Sequence, residues 1–170
     1  MRQGIIYQHK FSGTEFPIKI GSFFFLEPVI YDEIGLDVGV GYGMRNELEL
    51  TQYIYPATGV NKNSLANEHY NALKNDVFFN RYPELQIIEE RDYSFNSKEG
   101  KLGKFKYNGQ FHGSERSLIS HLYIFEDKGW FIKIRVSYPV DKENYMEKMK
   151  SSENEIVTYL QQIPWPTKEK

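Results

Sequence analysis

The chain has 170 residues (20.1 kDa), 21 basic and 23 acidic side chains, a formal net charge of −2 and a pI near 6.1, which points to one domain and excludes recognition of polyanions by bulk charge. Hydrophobic residues make up 40% of it and aromatic ones 16% (2 Trp, 13 Tyr, 12 Phe), enough for a core, too much for a disordered chain, and of the type that favours sheet. Cysteine is absent, which removes disulfides, thiolate nucleophiles and Cys-type zinc sites, and a mean hydropathy of −0.59 argues against an integral membrane protein.

Met1 to Lys10 holds only Ile5, Ile6 and Tyr7 before polar residues return, so no secretory leader is visible. The expected location is cytoplasmic as the sequence stands, or exported or envelope-associated if a leader was removed. Strand-like segments follow at Ile5 to Lys10, Phe16 to Ile20 and Phe23 to Ile30, the last containing the densest apolar run, Phe23 to Leu26, which is too short to span a bilayer. Leu36 to Tyr42 alternates with period two, Leu36, Val38, Val40 and Tyr42 against Asp37, Gly39 and Gly41, as a strand with one apolar face does. After a turn at Gly43 to Asn46, Glu47 to Tyr55 places Leu48, Leu50 and Ile54 on one face and Glu49, Thr51 and Tyr53 on the other, and Pro56 ends it.

Asn63 or Ser64 can cap a helix over residues 64 to 80, in which Ala66, Tyr70, Leu73 and Val77 form the apolar stripe and Pro83 is the stop signal. Strands resume at Leu85 to Phe95, turn at Asn96 to Gly100, and continue at Gly103 to His112, whose alternation predicts one wet face. Leu118 to Phe125 is apolar on both parities, as in a central strand covered on both sides, and Asp127 to Gly129 turns the chain into Trp130 to Tyr138. A last helix over 141 to 163 starts from Asp141 as N-cap, and Tyr145, Met149, Ile156, Leu160 and Ile163 form its stripe. With no repeat and no linker, residues 1 to 170 read as a single α+β domain: an antiparallel sheet of at least five strands flanked by helices.

The strand Asp37 to Tyr42, the strand end Ile54-Tyr55-Pro56, the strand Gly129 to Arg135 and the closing Ile163-Pro164-Trp165-Pro166 resemble an uncharacterised bacterial branch of the PsbP-like or Mog-like α/β/α sandwich. The resemblance spans nearly the whole chain and implies that fold. It further implies a non-enzymatic accessory or binding role, since the group includes small lipoproteins and secretion chaperones, but it carries no site motif to match onto these residues.

Chemistry is sparse. Ser114 sits in a hairpin turn without a G-x-S-x-G context, and His9, His69, His112 and His121 are too far apart in sequence to read as a ligand set, so neither a cofactor nor a metal is expected. Glu89, Glu90 and Asp92, interleaved with Arg91, read as a solvated strand. Lys98, Lys101, Lys104 and Lys106 alternate with inward-turned Phe105 and Tyr107, so nucleic acid is not an expected partner. Gly39, Gly41 and Gly43 clear one face of a strand for close approach of a helix or a ligand, packing of a helix being the simpler reading. If Asp127-Lys128-Gly129 is a three-residue loop, His121 and Tyr123 share a face with Lys133 and Arg135, a cationic and aromatic patch suited to an acidic partner or an anion. A two-residue loop dissolves that patch, and pairing of both cations with carboxylates of a covering helix is the structural alternative.

The binding residues expected from sequence are therefore His121, Tyr123, Lys133, Arg135, Gly39 and Gly41. The expected function is that of a binding or accessory protein holding a protein partner on an aromatic-rich sheet face, as a secretion chaperone, an immunity-type inhibitor or an envelope factor. The alternative is a small hydrolase acting on an anionic substrate near His121, Lys133 and Arg135.

Overall fold

The computed structural model describes residues 4–45, 47–58 and 65–170. The elements run β1 (Ile5–Gln8), β2 (Glu15–Pro17), β3 (Lys19–Ile20), β4 (Phe23–Ile30), β5 (Val38–Met44), β6 (Leu48–Pro56), α1 (Leu65–Lys74) continued by a π-helical turn (Asn75–Phe79), β7 (Gln86–Phe95), β8 (Lys98–Phe111), β9 (Ser114–Asp127), β10 (Trp130–Pro139) and α2 (Tyr145–Leu160). β1 and β2 form a separate ribbon. The remaining strands make one eight-stranded sheet in the order β3-β4-β5-β6-β10-β9-β8-β7, with every paired neighbour antiparallel. Period-two alternation assigns the apolar sets to the two faces, and one helix packs on each, which is the α+β sandwich expected from sequence.

The larger core lies under α2. Val38, Val40 and Tyr42, Leu48, Leu50 and Ile54, and Trp130, Ile132, Ile134, Val136 and Tyr138 meet Ile156, Tyr159 and Leu160 of that helix. The ribbon and the C-terminal tail extend this cover, since Phe16 belongs to the same cluster and Trp165 packs edge-on against Phe125. Gln52 is the buried polar member, with its amide nitrogen donating to the Pro164 carbonyl (2.9 Å) and its oxygen accepting from the Tyr159 hydroxyl (2.8 Å). The smaller core lies under α1 and its π-turn, where Tyr70 and Phe78 cover Phe105, Tyr107, Leu118, Leu122, Ile124 and Phe131. β9 contributes to both clusters, as a central strand apolar on both parities must.

β7 to β10 form a meander whose three connections are the two-residue loops Asn96-Ser97, His112-Gly113 and Lys128-Gly129. All six residues have positive φ, between 49° and 80°, as the turn that best matches strand twist demands. β8 and β9 are therefore longer than the sequence suggests, the polar turn after Phe95 occupying two residues instead of five. Two helix boundaries also differ. α2 starts at Tyr145 rather than beside Asp141, whose carboxylate pairs with Arg116 (3.2 Å). The helix expected from 64 to 80 widens into the π-turn after Lys74, which seats Phe78 on Phe105 with ring centres 4.5 Å apart, and its expected cap at Asn63 or Ser64 lies outside the described residues. No helix among the described residues is long and apolar enough to cross a membrane.

Candidate functional site

The loop after β9 decides which side chains meet. Asp127 pairs with Trp130 across Lys128-Gly129, so Lys133 lies opposite Ile124 and Arg135 opposite Leu122, while Val136 faces His121 and Ile134 faces Tyr123. The one-face grouping of His121 and Tyr123 with Lys133 and Arg135 is therefore corrected, because a loop of two residues instead of three moves every side chain of β10 to the other face relative to β9. The trio His121, Lys133 and Arg135 forms no single site.

His121 is fully buried in the α2 core, with Nε2 3.1 Å from the Tyr138 hydroxyl and Nδ1 3.3 Å from that of Tyr123. Burial, with Lys104 adding to it, pushes its pKa down to about 3, so the ring is neutral. Beside it Lys104 bridges Glu89 of β7 (2.7 Å) and Glu153 of α2 (2.6 Å), an ion pair that ties the sheet edge to the helix. The other carboxylates of that edge are occupied too, Glu90 by Lys74 (2.8 Å) and the Tyr70 hydroxyl (2.8 Å), and Asp92 by Lys101 (2.5 Å).

Lys133 and Arg135 stand on the α1 face together with the glycines of β5. Cross-strand rows run Lys133, Tyr53, Gly39, then Arg135, Thr51, Gly41, then Ser137, Glu49, Gly43. The covering helix offers neither cation a carboxylate among the described residues. Arg135 instead donates from Nη2 to the Tyr107 hydroxyl (3.2 Å) and lies over the Phe78 ring (5.1 Å). That tyrosine begins a hydroxyl chain through Ser120 (2.8 Å) to Ser137 (2.7 Å). Arg135 thus serves the roof formed by the π-turn.

Lys133 is less committed. Its Nζ lies 3.7 Å from the centre of the Tyr53 ring and 5.8 Å from that of Tyr55, with no ion pair among the described residues. Burial lowers its pKa to about 8, against the pull of Asp37 and with the help of Arg135. Next to it the Tyr55 hydroxyl is hydrogen-bonded to His69 Nε2, and the imidazole stacks on Phe131 at 4.2 Å. Burial first, and then Lys133, brings that histidine down to about 4, which keeps the ring neutral.

Beyond Lys133 the α1 face carries no helix among the described residues. α1 and the π-turn roof β8, β9 and β10 and, through His69, the Tyr55 end of β6, whereas the rest of β6 and the strands β5 and β4 meet no helix on this face among the described residues. The strip is floored by Gly39, Gly41 and Gly43 and flanked by Leu26, which lies beside Gly41 and Gly43, and by Tyr31, which lies beside Gly39 and Tyr53. Along this margin Phe24 (50% exposed), Leu26 (61%), Val29 (44%) and Tyr31 (54%) present apolar surface to solvent. Packing of a helix of this chain, the simpler sequence reading of the glycine strand, is not found over it among the described residues.

Of the residues expected from sequence, the structure brings Lys133, Gly39 and Gly41 together at this strip, places Arg135 under its inner wall, and puts His121 and Tyr123 in the opposite core. Leu26, Tyr31, Tyr55 and His69 were missed. The parity of Glu49, Thr51 and Tyr53 on β6 already marked their face, and only the cross-strand register was needed to add the rest. Among the described residues no three His, Asp or Glu side chains converge as metal ligands.

No protein-family model matches the chain, and no curated protein matches it. Solved structures similar to it include a protein of unknown function and putative regulator, PA94 from Pseudomonas aeruginosa (TM-score 0.49, 11% identity, covering 96% of this chain and 98% of that one). The cyanobacterial PsbP of Synechocystis scores 0.49 at 15% identity, covering 90% and 88%, and the Ran-binding protein Mog1p of Saccharomyces cerevisiae scores 0.41 at 10% identity, covering 83% and 92%. The solved structures to which this chain is similar thus include PsbP-like and Mog1 proteins, the fold group that the sequence resembles.

Proposed function

We propose that this chain is a non-enzymatic binding or accessory protein that holds a protein partner on the open strip of its α1 face. The observation that carries this reading is the row Phe24, Leu26, Val29 and Tyr31, each between 44% and 61% exposed and all on one margin of one sheet face. Exposed apolar residues are ordinary when scattered singly, but a contiguous row beside a cleared floor is surface kept for contact. The face rather than the edge is offered. β3 pairs only with Phe23 and Phe24, and the rest of the β4 edge is interrupted by a bulge between Phe25 and Pro28 and by the missing N–H of that proline, devices that discourage addition of a further strand. Lys133, which lies on the Tyr53 ring at the inner border and has no ion pair among the described residues, favours a partner that brings a carboxylate.

The test is photo-crosslinking in a lysate of the native host, with p-benzoylphenylalanine replacing Leu26 or Tyr31 and, as control, Met146, which is exposed on α2. One protein captured from both strip positions and not from the control is the expected result. Capture that is the same from all three positions, or from none, would remove the strip as a docking surface.

A further inference from the structure

We infer that the strip over β5 receives an α-helix of the partner, about four turns long, with an apolar face and a carboxylate directed at Lys133. This rests on the docking reading above and adds the kind of element that docks. The first support is size. From β10 to β4 the floor crosses three strand spacings, about 14 Å, and the seven residues of β5 extend about 23 Å. A helix is about 10 Å across and rises 1.5 Å per residue, so about 15 residues fill the strip. The floor amounts to roughly 300 Å², well short of the ~800 Å² per partner of a stable globular interface, which disfavours a second copy of this chain lying flat on it and suits one inserted element.

The second support is the glycines themselves. A Cβ built on Gly41 would meet its nearest neighbours, Leu26 and the Glu27 carbonyl, at 3.7 Å, and one on Gly43 would meet Leu26 at 3.5 Å, both ordinary contacts. Neither glycine has positive φ. The described residues therefore give no packing reason for glycine at either position, although glycine weakens a strand. Gly100 and Gly103 are the contrast, since a Cβ there would lie 2.1 Å from the Ile124 carbonyl oxygen and 2.0 Å from the Tyr70 hydroxyl. Gly39 differs, since it is buried and a Cβ there would lie 3.0–3.1 Å from the Tyr53 and Tyr31 rings, so the opening lies at Gly41 and Gly43 beside Leu26, where a strand without side chains permits close approach of a helix from outside the chain.

The third support is charge. Lys133 lies against Tyr53, one row along from the Arg135, Thr51 and Gly41 row, so its ammonium group borders a helix seated on Gly41 and Gly43. A carboxylate on that helix would pair with it, and an extended segment would instead need the interrupted β4 edge for its backbone.

The experiment is selection of a phage-displayed library of random 16-residue segments on the intact chain, followed by titration of the synthetic winners against variants. Winners with apolar residues at i, i+3 or i+4 and i+7 and one Asp or Glu on the flank are expected. Their binding should weaken at least tenfold with Gly41→Leu and with Lys133→Glu, and should vanish with Leu26→Asp. Because Gly41→Leu adds bulk inside a sheet, Gly43→Ser serves as the milder block, and the melting temperature of each variant is recorded. Winners that are proline-rich or alternate with period two, or that ignore the Gly41, Gly43 and Lys133 variants, overturn the helix inference while leaving the docking surface standing if Leu26→Asp still abolishes binding. A library that yields nothing dependent on Leu26 overturns both.

Discussion

Replacing Gly41 and Gly43 by alanine should stabilise the chain, whereas the same change at Gly100 or Gly103 should destabilise it. An added methyl at Gly41 or Gly43 finds its nearest neighbours at 3.5 to 3.7 Å, and the entropic cost of glycine in a strand is about 0.5–1 kcal/mol relative to alanine. The double variant Gly41→Ala with Gly43→Ala should therefore gain about 1–2 kcal/mol, which in a chain of this size raises the melting temperature by roughly 2–8 °C. At Gly100 the methyl would meet the Ile124 carbonyl oxygen at 2.1 Å, so a backbone must move, and at Gly103 it would meet the Tyr70 hydroxyl and the Phe105 ring. Overpacking of this kind costs about 1–3 kcal/mol. Urea unfolding followed by tryptophan fluorescence reads all variants on one scale, with Trp130 buried in the α2 core. If Gly41→Ala proves as destabilising as Gly100→Ala, the glycines of β5 are required by the fold itself and the argument that they serve an external occupant fails.

Three further outcomes test the packing around the site. Since burial depresses His121 to about 3 and His69 to about 4, the unfolded chain binds more protons than the folded one below the ordinary value near 6.5, so stability should fall as pH drops from 6.5 toward 4, by up to about 1.4 kcal/mol per pH unit for each histidine. His121→Phe should flatten that slope in urea melts taken across the range, and an unchanged slope would mean that this ring is not held neutral by burial. Phe78→Ala, which deletes the fully buried ring stacked on Phe105, should cost about 3–5 kcal/mol, and a loss below 1 kcal/mol would show that the π-turn contributes little to the α1 core. Gln52→Leu strands the Tyr159 hydroxyl and the Pro164 carbonyl in the opposite core and should cost about 1–3 kcal/mol, which thermal melts would detect and a neutral result would contradict.

Legibility of the fold followed from periodicity. Val38-Val40-Tyr42 and Trp130 to Tyr138 face one core because their spacing is two, and Tyr70 reaches the other core on a stripe of helical spacing. Loop length was not legible in the same way. The two-residue turns carry Asn96, Ser97, His112 and Lys128 at positive φ, positions where glycine is the usual signal, so the first turn had no glycine to announce it, and the second and third had one each, Gly113 and Gly129, which marks a turn without fixing its length. One residue of error in the third left each strand correctly patterned and still assigned His121 and Tyr123 to the wrong companions. The lateral position of α1 was likewise hidden, because a stripe on a helix states that it packs and not over which strands.

The open strip itself follows from counting elements. Eight strands span about 34 Å across the sheet, and a helix covers about 10 Å of that width. On the α2 face the ribbon β1–β2 and the tail through Trp165 add to the cover, whereas on the α1 face one helix with its π-turn stands alone among the described residues, so that β4, β5 and β6 beyond Tyr55 meet no helix there. An open sheet face meant only for water alternates toward polar side chains. Here β4 instead turns Phe24, Leu26 and Val29 outward on that face, and β5 beside it turns glycines. Element count explains why the strip is bare, but not why its margin is apolar and its floor shaved. The partner proposed above would account for both.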